Sequence, residues 1–140
     1  MNDEDRRKHL EFLQNIITRM NTNSFQIKTF CITLVAALLA LFSAKPGFHL
    51  IILSILITLG FWLLDSFYLQ QERKARGVYD DVAGITNANT VLPFEVPLAK
   101  YSGGKYSFRS AFFSPTTLMA YSSIGLVLIG IGVLVLAKII

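Results

Sequence analysis

One cysteine, two histidines and four prolines in 140 residues remove several classes of protein at once. A single Cys31 allows no internal disulfide and no multi-cysteine metal centre, and His9 and His49 stand too far apart in the chain for a histidine cluster. Charge is scarce as well: 16% of the residues are Asp, Glu, Lys or Arg, against about 25% in soluble domains. With 53% apolar residues and a mean hydropathy of +0.52, much of the chain is expected to face lipid. A secreted mini-protein, a zinc module and most soluble enzymes are thereby disfavoured. The charge that is present leans positive, with 13 Lys and Arg against nine acids and a pI of about 9.4. That balance favours anionic partners such as headgroups, nucleotides or nucleic acid without choosing among them.

The opening stretch, MNDEDRRKHLEFLQNIITRMN, mixes acids and bases ahead of any apolar run. A cleavable signal peptide has the opposite order, basic and then apolar, so this segment is expected to stay on the mature protein. Leu13, Ile16, Ile17 and Met20 share one helix face while Glu11, Gln14, Asn15 and Arg19 share the other. This is the pattern of an amphipathic helix that packs on its own protein, in the membrane interface or in a partner's groove. From Phe25 the chain turns apolar. Residues 29–44 carry no charge, but 16 residues reach only about 24 Å, short of a ~30 Å hydrocarbon core. Either Lys28 enters the membrane edge or the helix begins earlier.

Pro46 and Gly47 in AKPGF predict a tight turn, and residues 48–67, interrupted only by Asp65, supply a second full span. The two runs read as a helical hairpin, with Trp62, Phe67 and Tyr68 suited to an interfacial aromatic belt. A third run, 116–140, follows the proline of FFSPTT, and its one charge, Lys138, can snorkel to the far interface. Between the second and third runs, QQERKARGVYDD suits a helix continuing past the membrane, and ITNAN suits a turn. VLPFEVPLAKYSGGKYSFRS predicts short irregular strands broken by Pro93, Pro97, Gly103 and Gly104.

The expected fold class is an all-α membrane protein with three transmembrane helices. An amphipathic helix occupies 1–24, a transmembrane hairpin 25–69, a basic cytoplasmic insert with short strands 70–114, and the third transmembrane helix 115–140. Eleven Lys and Arg, four in the amino-terminal segment, six in the insert and Lys28 at the start of the hairpin, face Lys45 and Lys138 on the opposite side. By the positive-inside rule the amino terminus and insert are cytoplasmic and the carboxyl terminus lies outside.

Asp65 is the sole acid in any span. It lies 18 positions after Gly47, and Lys28 lies 18 positions before Pro46, so antiparallel helices bring the two charges to one depth. They form a salt bridge that seats the short first span, or part of an ion pathway or gate. In the third span Thr116, Ser123, Gly130 and Ala137 recur every seven residues, with Gly125 and Gly132 on a neighbouring step. Small residues in this pattern permit close helix packing within the protomer or between protomers. Thr33, Ser54, Thr58, Ser122 and Ser123 are the hydroxyls available to wet a pore or to bond their own backbone.

The insert gathers Arg73, Lys74, Arg76, Lys100, Lys105 and Arg109 among Tyr101, Tyr106 and Phe108. Cations interleaved with aromatics suit phosphate contacts with base stacking, and equally suit anionic headgroups. The SGGK at 102–105 lacks the full GxxxxGK[ST] pattern and reads as a turn rather than a phosphate-binding loop. No nucleophile with a plausible base, catalytic carboxylate pair or metal site is visible, and the adjacent Asp80 and Asp81 diverge on a helix. Neither catalysis nor a cofactor is expected.

The words HLEFLQNIITRMNTNSFQIKT, FWLLDSFYLQQERKARGVYDDV and FEVPLAKY, set around the first two spans and the insert, resemble small three-span membrane effectors of bacterial antiphage defence. The likeness is to the pore-forming effector of Hailong-type systems, whose partner is a nucleotidyltransferase, and it covers nearly the whole chain. The resemblance implies a homo-oligomeric channel, tetrameric in that family, held in check by a DNA oligomer on a basic cytoplasmic surface. Release of that oligomer would permeabilise the bacterial inner membrane. Outside the resemblance, two other readings stand: a non-conducting membrane adaptor that anchors a soluble partner, and a holin-like toxin.

Overall fold

The computed structural model describes residues 2–86 and 91–137; Lys138, with its expected interfacial role, and most of the ITNAN turn lie outside the described residues. The first element, α1 (Asp3–Ala44), is one uninterrupted helix of 42 residues. Its start is fixed locally. The Asn2 side chain accepts the Asp5 N–H at 2.7 Å, and Asp3, Glu4 and Asp5 place negative charge against the positive end of the helix dipole. At 1.5 Å per residue α1 is about 63 Å long, twice a hydrocarbon core. The amphipathic segment 1–24 and the first apolar run are therefore joined in one continuous helix through Asn21, Thr22, Asn23 and Ser24. The helix begins well before the short apolar run and includes Lys28.

Pro46 cannot donate a helical hydrogen bond and disfavours helix at the residue before it, so α1 stops and residues 45–47 turn the chain. The next helix, α2 (Phe48–Ala83), runs for 36 residues, about 54 Å, carrying the apolar run into QQERKARGVYDD as expected. It ends on Gly84, whose φ of +76° is readily adopted by glycine. Gly84 N–H bonds to Asp81 O at 3.1 Å and Ile85 N–H to Asp80 O at 2.9 Å, a Schellman cap. The short α3 (Phe108–Phe112) leads into α4 (Pro115–Leu136), which carries proline in its first turn where the missing N–H costs nothing. Thus α1, α2 and α4 are each long and apolar enough to cross a membrane.

The short strands expected in the insert do not form: among the described residues the fold is all-helical. The run 91–107 instead closes short local turns and lends other backbone groups to side chains of α1 and α2. Two 3-10 turns, Leu98–Lys100 and Gly104–Tyr106, carry the bonds Lys100 N–H to Pro97 O at 3.0 Å and Tyr106 N–H to Gly103 O at 3.0 Å. A strand needs a partner edge, and Pro93 and Pro97 each delete a ladder donor, while Gly103 and Gly104 sit at φ +74° and +48°. β-Prone side chains alone could not overcome that spacing.

Two compact units result. The apolar unit comprises Phe25–Ser66 and Phe112–Ile140. Its core is Cys31, Val35, Tyr121 and Leu128, surrounded by partly buried Leu39, Ile55, Phe61 and Trp62. Trp62 belongs to this packing: its ring stacks on Phe112 at 4.3 Å and its Nε1 donates to Phe112 O at 3.1 Å. The polar unit comprises Met1–Ser24 and Phe67–Ala111, with Leu13, Val78 and Val82 at its centre. Here Arg6 donates to the Val82 carbonyl at 2.9 Å and to the Ala83 carbonyl, capping α2 from α1. Gly77 lets the insert close on α2. A Cβ there would lie 2.6 Å from Tyr101 Cδ1 and 2.8 Å from the Tyr106 hydroxyl.

Candidate functional site

In the apolar unit the equal offsets of Lys28 and Asp65 from the turn translate into contact: Lys28 Nζ lies 2.7 Å from Asp65 Oδ2. Asp65 is completely buried and the Lys28 side chain is 26% exposed, so the acid is inside and its counter-charge reaches in from the edge. Tyr121 of α4, itself buried, brings its hydroxyl within electrostatic reach of the same carboxylate. The hydroxyls considered for wetting a pore mostly serve their own helices. Thr33 donates to Thr29 O at 2.9 Å, Ser54 to Leu50 O at 2.9 Å, Thr58 to Ser54 O at 2.8 Å and Ser123 to Ala120 O at 2.9 Å. Each is the back-bond that keeps a hydroxyl satisfied without water.

The small residues of α4 divide by surroundings. Gly132 is buried, and a Cβ on it would meet Ile51 Cγ2 at 3.5 Å, so it packs within the protomer. Nothing lies within 4 Å of the corresponding position at Gly125 or Gly130. Ser123 borders an apolar crevice of about 300 Å³ with Ile32, Val35 and Val127, and Ala137 closes the helix as its carboxyl-terminal cap.

In the polar unit α1, α2 and the insert enclose a cleft of about 670 Å³. From α1 come Gln14, Thr18, Asn21 and Thr22, successive turns of one face; from α2 come Arg73, Arg76, Tyr79 and Asp80; the insert adds Lys105. Three cations thus converge with one acid on a cavity of the size that takes a small ligand. The two arginines are oriented by protein partners. Arg73 donates to Lys105 O at 3.2 Å and to Ser110 Oγ at 3.0 Å, and Arg76 holds Glu72 at 2.8 Å. Gln70 ties the same insert to α2 through Tyr106 O at 3.0 Å. A guanidinium has five donors, so these bonds position the arginines without exhausting them.

Of the eight residues considered for ligand binding, Arg73, Arg76 and Lys105 line the cleft. Lys74 is half-buried beside them on α2, and Arg109 is exposed on α3. Lys100 and Tyr101 are engaged elsewhere: Lys100 Nζ stands 4.0 Å from Asp81 Oδ2, and the Tyr101 hydroxyl donates to that same oxygen. Burial and the Asp81 carboxylate together hold the Tyr101 phenol above its ordinary range, so it stays a donor at neutral pH. Tyr106 packs edge-on against Tyr101 at 5.4 Å, with Lys105 Nζ 5.0 Å from its ring centre. Sequence reasoning missed the α1 side of the cleft. The signal was present in the uncharged polar positions 14, 18, 21 and 22, which recur at helical spacing opposite Leu13. Among the described residues no cluster of metal-ligating side chains occurs. Comparison with known proteins yields no matching family model, no matching curated protein and no matching solved structure.

Proposed function

We propose that this chain is the protomer of a homo-oligomeric membrane channel, gated by a nucleotide or DNA oligomer in the cleft between α1, α2 and the insert. The observation that carries the reading is the convergence of Arg73, Arg76 and Lys105 on one cleft in a chain with three membrane-length helices. Phosphate oxygens suit such a cluster of fixed cations, and Tyr79 offers a ring for a base. A single protomer has too little polar surface in its apolar unit to enclose water, so conduction requires several copies. The open faces at Gly125 and Gly130 suit contact between copies, and a tetramer is the assembly proposed. In this reading the amino terminus and insert face the cytoplasm of a bacterium and the carboxyl terminus faces the periplasm. The oligomer is made by a partner nucleotidyltransferase, and opening depolarises the inner membrane as a defence against phage.

The satisfied hydroxyls of Thr33, Ser54 and Thr58 favour a second reading, a non-conducting anchor for a soluble partner. Ligand binding tests the leading one. Single-stranded oligodeoxynucleotide should bind the full-length protein in detergent with a log–log salt slope of about −0.7 per contacted phosphate. The triple variant Arg73→Glu, Arg76→Glu, Lys105→Glu should lose this binding, while charge reversal at Lys100 and Arg109 should leave most of it. Equal losses from both sets would place the ligand outside the cleft.

A further inference from the structure

His9, one of two histidines isolated in the sequence, is fully buried in the polar unit, and both ring nitrogens are engaged by backbone. Phe94 N–H donates to Nδ1 at 3.3 Å, and Nε2 stands 3.0 Å from Glu95 O. An Nδ1 that accepts carries no proton, so the ring is the neutral Nε2–H tautomer and Nε2 donates to the Glu95 carbonyl. The segment it grips is a tight turn. Glu95 N–H bonds to Leu92 O at 3.1 Å, Pro93 occupies the second position and Phe94 the third. Phe94 has φ +62°, the conformation that a type II turn demands at this position and that glycine normally supplies. A bulky residue there is strained, and strain persists only where surrounding contacts hold it. His9 supplies two of those contacts, and its ring also packs 5.7 Å from the Phe94 ring.

We infer that His9 is an acid-loosened clasp: protonation of Nδ1 sets one N–H against another and removes one of the two hydrogen bonds that hold the Leu92–Glu95 turn to α1. The turn leads directly into Val96 and Leu98, which pack on Leu13, Val78 and Val82, so this loss loosens the insert where it joins the polar core. On α1, Glu4 and Lys8 pair with each other in solvent, Arg6 caps α2 and Asp5 lies one turn from His9. In the turn, the Glu95 carboxylate accepts Leu92 N–H at 3.3 Å. On α2, Asp81 is engaged by Thr86, Tyr101 and Lys100. None of these supplies the acceptor that Phe94 N–H loses when Nδ1 takes a proton.

The test is hydrogen–deuterium exchange of the 91–98 peptide in the full-length protein in nanodiscs, expressed as protection relative to the unstructured peptide at the same pH. Between pH 7.5 and 5.5 protection should fall by roughly threefold to tenfold, the effect of one lost hydrogen bond. His9→Asn keeps an acceptor near the Nδ1 position and does not titrate, so its protection should be the same at both pH values. Phe94→Gly removes the backbone strain and should lessen the acid response while retaining His9. Nitrogen NMR of the unmodified chain covers the case in which the variants do not fold. His9 should show the Nε2–H tautomer at pH 7.5, with exposed His49 as the internal reference. Protection independent of pH in the wild type, an equal acid response in a folded His9→Asn, or a His9 imidazolium coexisting with full protection would each overturn the clasp.

Discussion

Asp65 of the apolar unit and Asp81 of the polar unit, both buried, are satisfied in opposite ways. Asp65 in the apolar unit is wholly enclosed and is answered by a full positive charge, Lys28, at 2.7 Å. Asp81 in the polar unit retains 5% exposure and is answered mainly by neutral donors, the hydroxyls of Thr86 and Tyr101, with Lys100 at 4.0 Å. The difference follows from what surrounds each carboxylate. Where no water can approach, an ionised group needs a counter-charge in contact; near water, hydroxyl dipoles and a screened cation suffice. The two sites should therefore respond to mutation on different scales.

The largest effect is expected at the enclosed site. Lys28→Met removes the counter-charge of a buried carboxylate and should cost about 3–5 kcal/mol, read as a lowered unfolding midpoint in detergent. Lys28→Met combined with Asp65→Leu should recover most of that loss, because no charge is then left behind. Next comes Gly77→Ala, which drives a methyl into the Tyr101 ring and the Tyr106 hydroxyl and should cost about 1–3 kcal/mol. Its damage should appear as faster hydrogen exchange confined to residues 98–106. The smallest effect belongs to Tyr101→Phe, at about 1 kcal/mol, since Asp81 keeps Thr86 and Lys100. If Lys28→Met cost no more than Tyr101→Phe in the same unfolding series, the contrast between the two acids would collapse.

Legibility in the sequence follows the range of the forces involved. The three apolar runs, the Pro46–Gly47 turn and the depth of Lys28 against Asp65 are set by neighbours along the chain, and counting residues recovers them. The continuity of α1 was hidden because Asn21, Thr22, Asn23 and Ser24 have the composition of a boundary, while a helix held on both sides by long flanking turns tolerates them. The insert misled in the other direction. Val91, Val96 and Leu98 have strand propensity, but they pack singly on the Leu13 and Val82 core and meet no second strand among the described residues. Half of the cleft was equally concealed, because Gln14, Thr18, Asn21 and Thr22 carry no charge and their meeting with Arg73 and Arg76 depends on contacts distant in sequence. His9 gave no sign at all, since its partners are backbone atoms of Phe94 and Glu95.

The central claim, a conducting assembly whose cleft ligand gates it, is tested most directly by planar-bilayer current from the purified full-length protein, with and without single-stranded oligodeoxynucleotide. The account predicts discrete current steps that the oligonucleotide modulates at low salt. Steps from the variant Arg73→Glu, Arg76→Glu, Lys105→Glu should persist and ignore the ligand. Silent bilayers from a protein that remains a monodisperse monomer in several detergents would contradict it.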